Sequence, residues 1–225
     1  MDLKAHAYSD PHPAVTTDIV IFSIRDEKLK LLLVERAREP FAGAWALPGG
    51  FIGHEEDLET CALRALEEET GVSGVYLEQL HTWGRPNRDP RGRVISIAYY
   101  ALIPSDRLSI RPASDAKAVA WSTLDQLPDM AFDHADIVTM AHRRLVAKLD
   151  YSTIAFQFMP ETFTLSELQT VYEIILGERL DKRNFRKRVL ALDRIESTGA
   201  LRRNGNHRPA RLYRLKFPDK VEIIK

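Results

Sequence analysis

Glu56, Arg64, Glu68 and Glu69 are the residues of this chain whose types and spacing are most able to do chemistry. All four lie in the stretch GGFIGHEEDLETCALRALEEETGV, residues 49–72. Arg64 and Glu68 are four residues apart and share a helix face. Glu56 precedes the helix, where it can fold back towards Glu68 and Glu69. Clustered carboxylates repel one another, which costs stability unless a cation sits among them. Hard oxygen ligands with open water positions suit Mg2+ or Mn2+, which also grip phosphates. The plainer alternative is a solvated acidic helix face, and a bare run of glutamates would be read that way.

The positioning elements follow from the same stretch. Gly49-Gly50 after Leu47-Pro48 is expected to form a turn through backbone angles that other residues resist. A helix is expected from about Asp57 to Thr70, ended by Gly71 as C-cap. Leu58, Cys61, Ala62, Ala65 and Leu66 form its apolar side.

The whole stretch resembles the Nudix box, G-x5-E-x7-R-E-U-x-E-E-x-G-U, where U is a bulky aliphatic residue. Gly50, Glu56, Arg64, Leu66, Glu68, Glu69, Gly71 and Val72 match it. Position 65 departs: the family has a glutamate there that serves as metal ligand or general base, and this chain has Ala65. Alanine neither binds metal nor accepts a proton. Glu67 is no substitute, because a two-residue shift turns its side chain to another face. The resemblance therefore implies a pyrophosphate-binding site with no assigned catalytic residue. Glu56, Glu68 and Glu69 remain as candidate ligands for a weak or dispensable Mg2+ or Mn2+. An Arg followed by W-x-x-P-G-G lines the substrate cleft of Nudix proteins, which makes Arg36 a candidate phosphate contact; a surface salt bridge is the equal alternative. The candidate ligand-binding residues are Arg36, Arg38, Trp45, Gly50, Arg64, Arg85, Arg88 and Tyr99; Arg91 and Arg93 could also bind phosphate, and His54 and Phe41 could stack on a base, with a solvated hairpin connection and core packing as the plainer alternatives. Arg85 and Arg88 belong to the loop 84–93, GRPNRDPRGR, which is expected to overhang the cleft.

With 225 residues, the chain has room for one large domain or two small ones. Its 44% hydrophobic and 28% charged content is that of a soluble globular protein with a real core. The net charge of zero conceals an asymmetry. Residues 151–225 hold 15 Lys+Arg against 9 Asp+Glu, so the preceding 150 residues hold 17 against 23. An acidic domain joined to a basic nucleic-acid module fits that division. The single cysteine, Cys61, excludes an intrachain disulfide and fits a reducing cytoplasm. No secretory signal is expected, and no apolar stretch approaches the length of a membrane span.

Along the chain, strands are expected at 15–24, 29–35, 75–83, 94–103 and 116–121. Ser122 is expected to cap a short helix ending at Pro128, and residues 134–158 to form a long helix. A mixed sheet between helices, an α/β/α sandwich, follows. Met159 to Thr162 reads as a linker, dividing the chain into 1–158 and 159–225. Thr164 with Glu167 is a capping-box signature for a helix reaching Leu176–Gly177. Asp181 is expected to cap a second helix, 182–195. Phe185, Val189 and Leu192 point inward there, with Lys182, Arg183, Arg186 and Lys187 on the opposite side. Leu201 and residues 212–215 read as two strands around a basic tip. Residues 181–216 hold 12 Lys+Arg against 3 Asp+Glu. A basic helix in a helix-turn-helix, followed by a basic wing, suits duplex DNA. The DNA-contact candidates are Lys182, Arg183, Asn184, Arg186, Lys187, Arg202, Arg203, His207, Arg208 and Arg211.

A Nudix domain followed by a winged helix resembles the NrtR-type regulators of NAD metabolism. The resemblance rests on SDPHPAVTTDIV, the degenerate box, PNRDPRGR, LDKRNFRKRVL and HRPARLYR. It implies a dimeric, cytoplasmic repressor that binds operator DNA and senses ADP-ribose or a related metabolite. A sibling group with this architecture responds to sugars. An active Nudix pyrophosphatase and a nucleotide-sugar-binding adaptor without DNA contact are the competing readings.

Overall fold

The apolar run near the amino terminus becomes β1 (Ala14–Arg25), the strand on which the sheet is built. Thr16 to Ser23 are buried without a break, a pattern that requires cover on both faces. The computed structural model describes residues 12–107, 116–203, 209–218 and 220–224. Asp26 and Glu27 both adopt positive φ, 50° and 56°, and turn the chain into β2 (Lys28–Arg36). The other strands are β3 (Trp45–Ala46), β4 (Gly49–Phe51), β5 (Tyr76–Trp83), β6 (Val94–Leu102) and β7 (Ala116–Thr123). The sheet runs β3-β2-β1-β6-β5, with β4 also on β1 and β7 also on β2. β1 and β6 are parallel and the other pairings are antiparallel, so the sheet is mixed.

Alternation along β1 sends its side chains to two layers. Ile19 and Ile21 face α1 (Leu58–Thr70), which buries Ala62, Ala65 and Leu66 against them. Val20 and Phe22 face α2 (His134–Tyr151), which buries Ile137, Ala141 and Leu145. The result is the expected α/β/α sandwich. Asp57 caps α1 by accepting the Thr60 amide at 2.7 Å, and Gly71 ends it at φ 66°.

The carboxy-terminal region is a winged helix. α3 (Leu165–Leu176) starts in a complete capping box between Thr164 and Glu167. α4 (Lys182–Ala191) is capped by Asp181, and β8 (Ile195–Arg202) pairs antiparallel with β9 (Ala210–Leu215). Segment 159–163 is no loose tether: Met159 and Phe163 are buried in the same cluster as Phe22 and Leu145. Truncating the fully buried Phe163 to alanine would cost about 3–5 kcal/mol.

Four expectations are corrected. Gly49-Gly50 is not a turn with special angles but part of β4, paired with Thr17 and Asp18. Space is what Gly49 supplies, since a Cβ there would lie 2.1 Å from the Thr17 carbonyl oxygen. The long helix breaks at Tyr151 and resumes as a 3-10 turn over Ile154–Phe158. The short helix is one 3-10 turn, Leu124–Gln126, and Ser122 belongs to β7, donating its hydroxyl to the Gln126 carbonyl at 2.8 Å. α4 stops at Ala191 because Ile195, which fits its apolar period, is claimed by the wing strand. No helix among the described residues is long and apolar enough to cross a membrane.

Candidate ligand pocket and nucleic-acid interface

Close approach of β4 to β1 opens a pocket of about 320 Å³ over the end of the sheet. That is at the lower end of the range for small-molecule sites. Its rim carries Arg36, Arg38 and Arg91, and its floor carries Asp18, Arg88 and His134. Glu69, 6% exposed, reaches the wall from the last turn of α1.

The floor is a buried polar cluster. Arg88, with its side chain 3% exposed, donates to Asp133 at 2.6 and 3.0 Å and lies 3.6 Å from Asp18. Ser96 donates its hydroxyl to Asp18. His134 accepts the Leu47 amide on Nδ1 at 2.9 Å, leaving the proton on Nε2, which faces Asp18 at 3.6 Å. Burial pushes the His134 pKa below its ordinary value, so the ring is neutral at neutral pH.

At the rim, Arg36 donates from Nε to the Pro40 carbonyl at 2.8 Å, and its guanidinium lies 4.9 Å over Phe132. Arg91 is held by Asp89 at 2.7 Å and lies 5.3 Å over Phe51. Exposed Phe41 and Phe51 add apolar surface around this polar mouth. The rim thus offers cationic groups with aromatic faces beside them, which suits a phosphate-bearing ligand that also has a flat apolar part.

The structure divides the expected ligand set. Arg36, Arg38, Gly50 and Arg88 line the pocket. Trp45, Arg64, Arg85 and Tyr99 do not. Trp45 packs against the main core, because β3 turns its ring inward. Tyr99 is buried among the residues under α1. Arg85 is exposed and pairs loosely with Asp136 at 3.8 Å. Arg64 is bound to Glu56 at 2.8 Å and to Glu68 at 3.5 Å. The loop 84–93 is tied down rather than overhanging freely, through the Arg88 and Arg91 pairs and a 2.6 Å bond from Arg93 to the Gly84 carbonyl. Asp18, Phe51, Phe132 and His134 were not anticipated. An aspartate inside the run VTTDIVIF was the available signal, since an acid buried mid-strand needs a partner.

Nudix domains generally use divalent metal ions. The donor set here does not fit one. The Arg64 guanidinium and the Gly53 amide hold Glu56 down to a pKa of about 2 and occupy its oxygens. Glu68 shares the same arginine, and position 65 is an alanine 3% exposed in an apolar cluster. Among the described residues, no three His, Cys, Asp or Glu side chains converge as a metal site.

The second candidate surface is α4. Phe185 and Val189 anchor it, and Lys182, Arg183, Asn184, Arg186 and Lys187 are all exposed on its other side. Among the described residues no ion pair engages those four cations. Arg203 and Arg211 are exposed on the wing. Arg202 differs: it binds Glu167 at 2.7 Å and the Thr162 carbonyl at 3.0 Å, so its head group is engaged within its own domain. His207 and Arg208 lie outside the described residues.

Comparison with known proteins matches two separate parts of the chain. Residues 14–141 match the NUDIX domain, and residues 155–215 match the NrtR DNA-binding winged helix domain. The second match begins ahead of the division expected at 158/159. The chain is 41% identical over 213 residues to the ADPR responsive transcriptional repressor NtrR of Acinetobacter baylyi, covering 93% of this chain and 84% of that protein. Among solved structures, Shewanella oneidensis NrtR complexed with a 27mer DNA is 42% identical, with a TM-score of 0.81 over 91% of this chain and 94% of that one. The NUDIX domain of the same Shewanella protein, complexed with ADP ribose, is 40% identical, with a TM-score of 0.55 over 64% of this chain and 94% of that one. The chain belongs to the NrtR family of transcriptional regulators, in which a Nudix domain is joined to a DNA-binding winged helix.

Proposed function

We propose that this chain is a homodimeric, cytoplasmic repressor of NAD metabolism. It binds operator DNA through α4 and the β8–β9 wing and releases or tightens it in response to ADP-ribose or a related metabolite. The observation that carries the reading is the exposed cationic face of α4 on a chain that also holds an arginine-rimmed Nudix pocket. Lys182, Arg183, Arg186 and Lys187 enter the major groove, with Asn184 near a base edge. Arg203 and Arg211 follow the backbone. In the pocket, Arg36, Arg38 and Arg91 hold the diphosphate and Phe51 borders the base. A dimer built on the Nudix domains sets the spacing of the two winged helices. Mg2+ or Mn2+ is dispensable for binding.

Hydrolysis of ADP-ribose is slow on this reading, because Ala65 removes a carboxylate whose loss as a general base costs about 10²–10⁴ in rate. The test pairs two measurements on one preparation. Fluorescence anisotropy with the chain's own upstream DNA, titrated with ADP-ribose, is expected to show specific binding that the ligand shifts. An assay with ADP-ribose and Mg2+ is expected to show little turnover. Ordinary enzyme turnover with no DNA binding would replace the proposal with the pyrophosphatase reading.

A further inference from the structure

Arg188, itself exposed, is the one basic side chain of α4 whose head group is hydrogen-bonded to another element among the described residues. Its guanidinium donates to the Leu149 carbonyl at 3.1 Å and lies 5.8 Å over the Tyr172 ring. Tyr172 in turn meets Phe185 edge-on at 5.2 Å. Leu149 belongs to the last turn of α2, whose carbonyls have no partner within the helix and carry its negative dipole end. The neighbouring carbonyls are taken as well: Ser152 donates to Lys148, and the Ile224 amide donates to Tyr151 at 2.8 Å. A cation from the DNA-facing helix therefore caps the carboxy-terminal end of a helix of the Nudix domain.

The opposite end of α2 is the pocket floor. Asp133, its N-cap position, holds Arg88, and His134, its first residue, holds the Leu47 amide. With 18 residues, α2 spans about 27 Å. Its inner face is packed into the core at Ile137, Ala141, Leu145 and Leu149, so it moves as a rod rather than by local bending.

We infer that Arg188 is a positioning residue that joins the pocket to the DNA-reading helix through α2: a shift at Asp133 and His134 is passed along the rod and received at α4. This rests on the proposed function for what is transmitted, and on geometry alone for the connection. Ligand can bias DNA binding only by favouring one arrangement over the other, and a rod bonded at both ends supplies a physical link between them.

The test compares wild type with Arg188→Ala, Arg188→Lys and Arg211→Ala in the full-length protein. The DNA-binding arm uses the chain's upstream duplex. Arg211→Ala is expected to lower the salt slope by about 1.8, the amount that goes with one phosphate per protomer of the dimer no longer neutralised. Arg188→Ala is expected to leave that slope unchanged. A wild-type ADP-ribose effect of roughly 5- to 150-fold on DNA affinity should shrink to within about twofold in Arg188→Ala. Arg188→Lys should restore part of it, because an ammonium still donates to a helix-end carbonyl. A salt slope reduced by about two with the ligand effect intact would make Arg188 a DNA-binding side chain and overturn the inference. The second arm needs neither DNA nor ligand. Hydrogen exchange over residues 182–191 is expected to rise in Asp133→Asn, and that rise should vanish when Arg188→Ala is added. Exchange at 182–191 that responds to Asp133→Asn equally with and without Arg188 overturns the connection. Loss of the DNA and ligand responses in wild type, with the exchange result as expected, overturns the proposed function instead.

Discussion

The Nudix pocket and α4 are both rich in arginine, yet they handle charge in opposite ways. In the pocket, Arg88 is matched by Asp133, Arg91 by Asp89, and nearby Arg64 by Glu56. On α4, four cations stand exposed with no ion pair among the described residues. The first arrangement is preorganised: its charges hold backbone and loops in place, and a ligand meets a rigid rim. The second keeps its charges for a partner whose condensed counterions are released on binding. Counting arginines in the sequence does not separate the two, because the difference lies in which carboxylates the fold brings alongside.

The largest expected effect breaks the pocket side of the comparison. Arg88→Ala leaves Asp133 and Asp18 buried without their cation, and removing one partner of a buried pair costs about 3–5 kcal/mol. Chemical denaturation measures it. A loss under about 1 kcal/mol would mean that Arg88 is no structural ion, and that the pocket charges are as available as those of α4.

The double variant Arg183→Ala/Arg186→Ala probes the other side. It should leave the denaturation midpoint nearly unchanged while weakening DNA binding by about 1–3 kcal/mol per arginine. Unchanged affinity and salt dependence would count against α4 as the reading helix.

Gly49→Ala sharpens the contrast with its neighbour. A Cβ at Gly49 meets the Thr17 carbonyl oxygen at 2.1 Å, whereas one at Gly50 meets nothing within 4 Å. Gly49→Ala should push β4 off β1, with an overpacking cost of about 1–3 kcal/mol and weaker ADP-ribose binding. Gly50→Ala should be close to neutral in both, with stability followed by chemical denaturation and ADP-ribose binding by titration calorimetry.

The smallest effects are in pH. Arg64 holds the Glu56 pKa at about 2 against an ordinary 4.5. A depressed carboxylate pKa contributes stability that is present above 4.5 and lost as pH falls towards 2. Glu56→Gln should flatten the stability profile in that window. Burial lowers the His134 pKa from 6.5, so its contribution is complete above 6.5 and declines as pH falls below it. His134→Asn should remove that decline. Both profiles are measured by urea denaturation at stepped pH, and a variant that tracks wild type through its window overturns the assignment.

Much of the architecture was legible because it depends on local rules. The β-branched, largely apolar run of β1, Asp57 and Gly71 at the ends of α1, and the Thr164–Glu167 capping box are short-range features that each fix an element. The box spacing singled out Glu56 and Arg64 but not their pairing, since Glu56 was expected to turn towards Glu68 and Glu69; the basic run pointed to the exposed side of α4. Periodicity misjudged helix ends where tertiary pairing prevailed, as at Ile195, which fits a helical stripe yet pairs with Leu215.

The chemistry of the cleft was decided only by the tertiary structure. Asp18, Arg88, Asp133 and His134 are scattered over more than a hundred positions, and they meet because β1, the 84–93 loop and the start of α2 converge at one end of the sheet. Gly49 looked like a turn residue because sequence records the missing side chain but not the strand lying 2.1 Å from where it would be. Arg188 looked like the rest of the basic run, since nothing in LDKRNFRKRVL distinguishes it. Its role appears only when the last turn of α2, 39 residues earlier, presents an open carbonyl beside it. Local spacing determines which residues share a face; long-range packing determines whether the charge on that face is already satisfied.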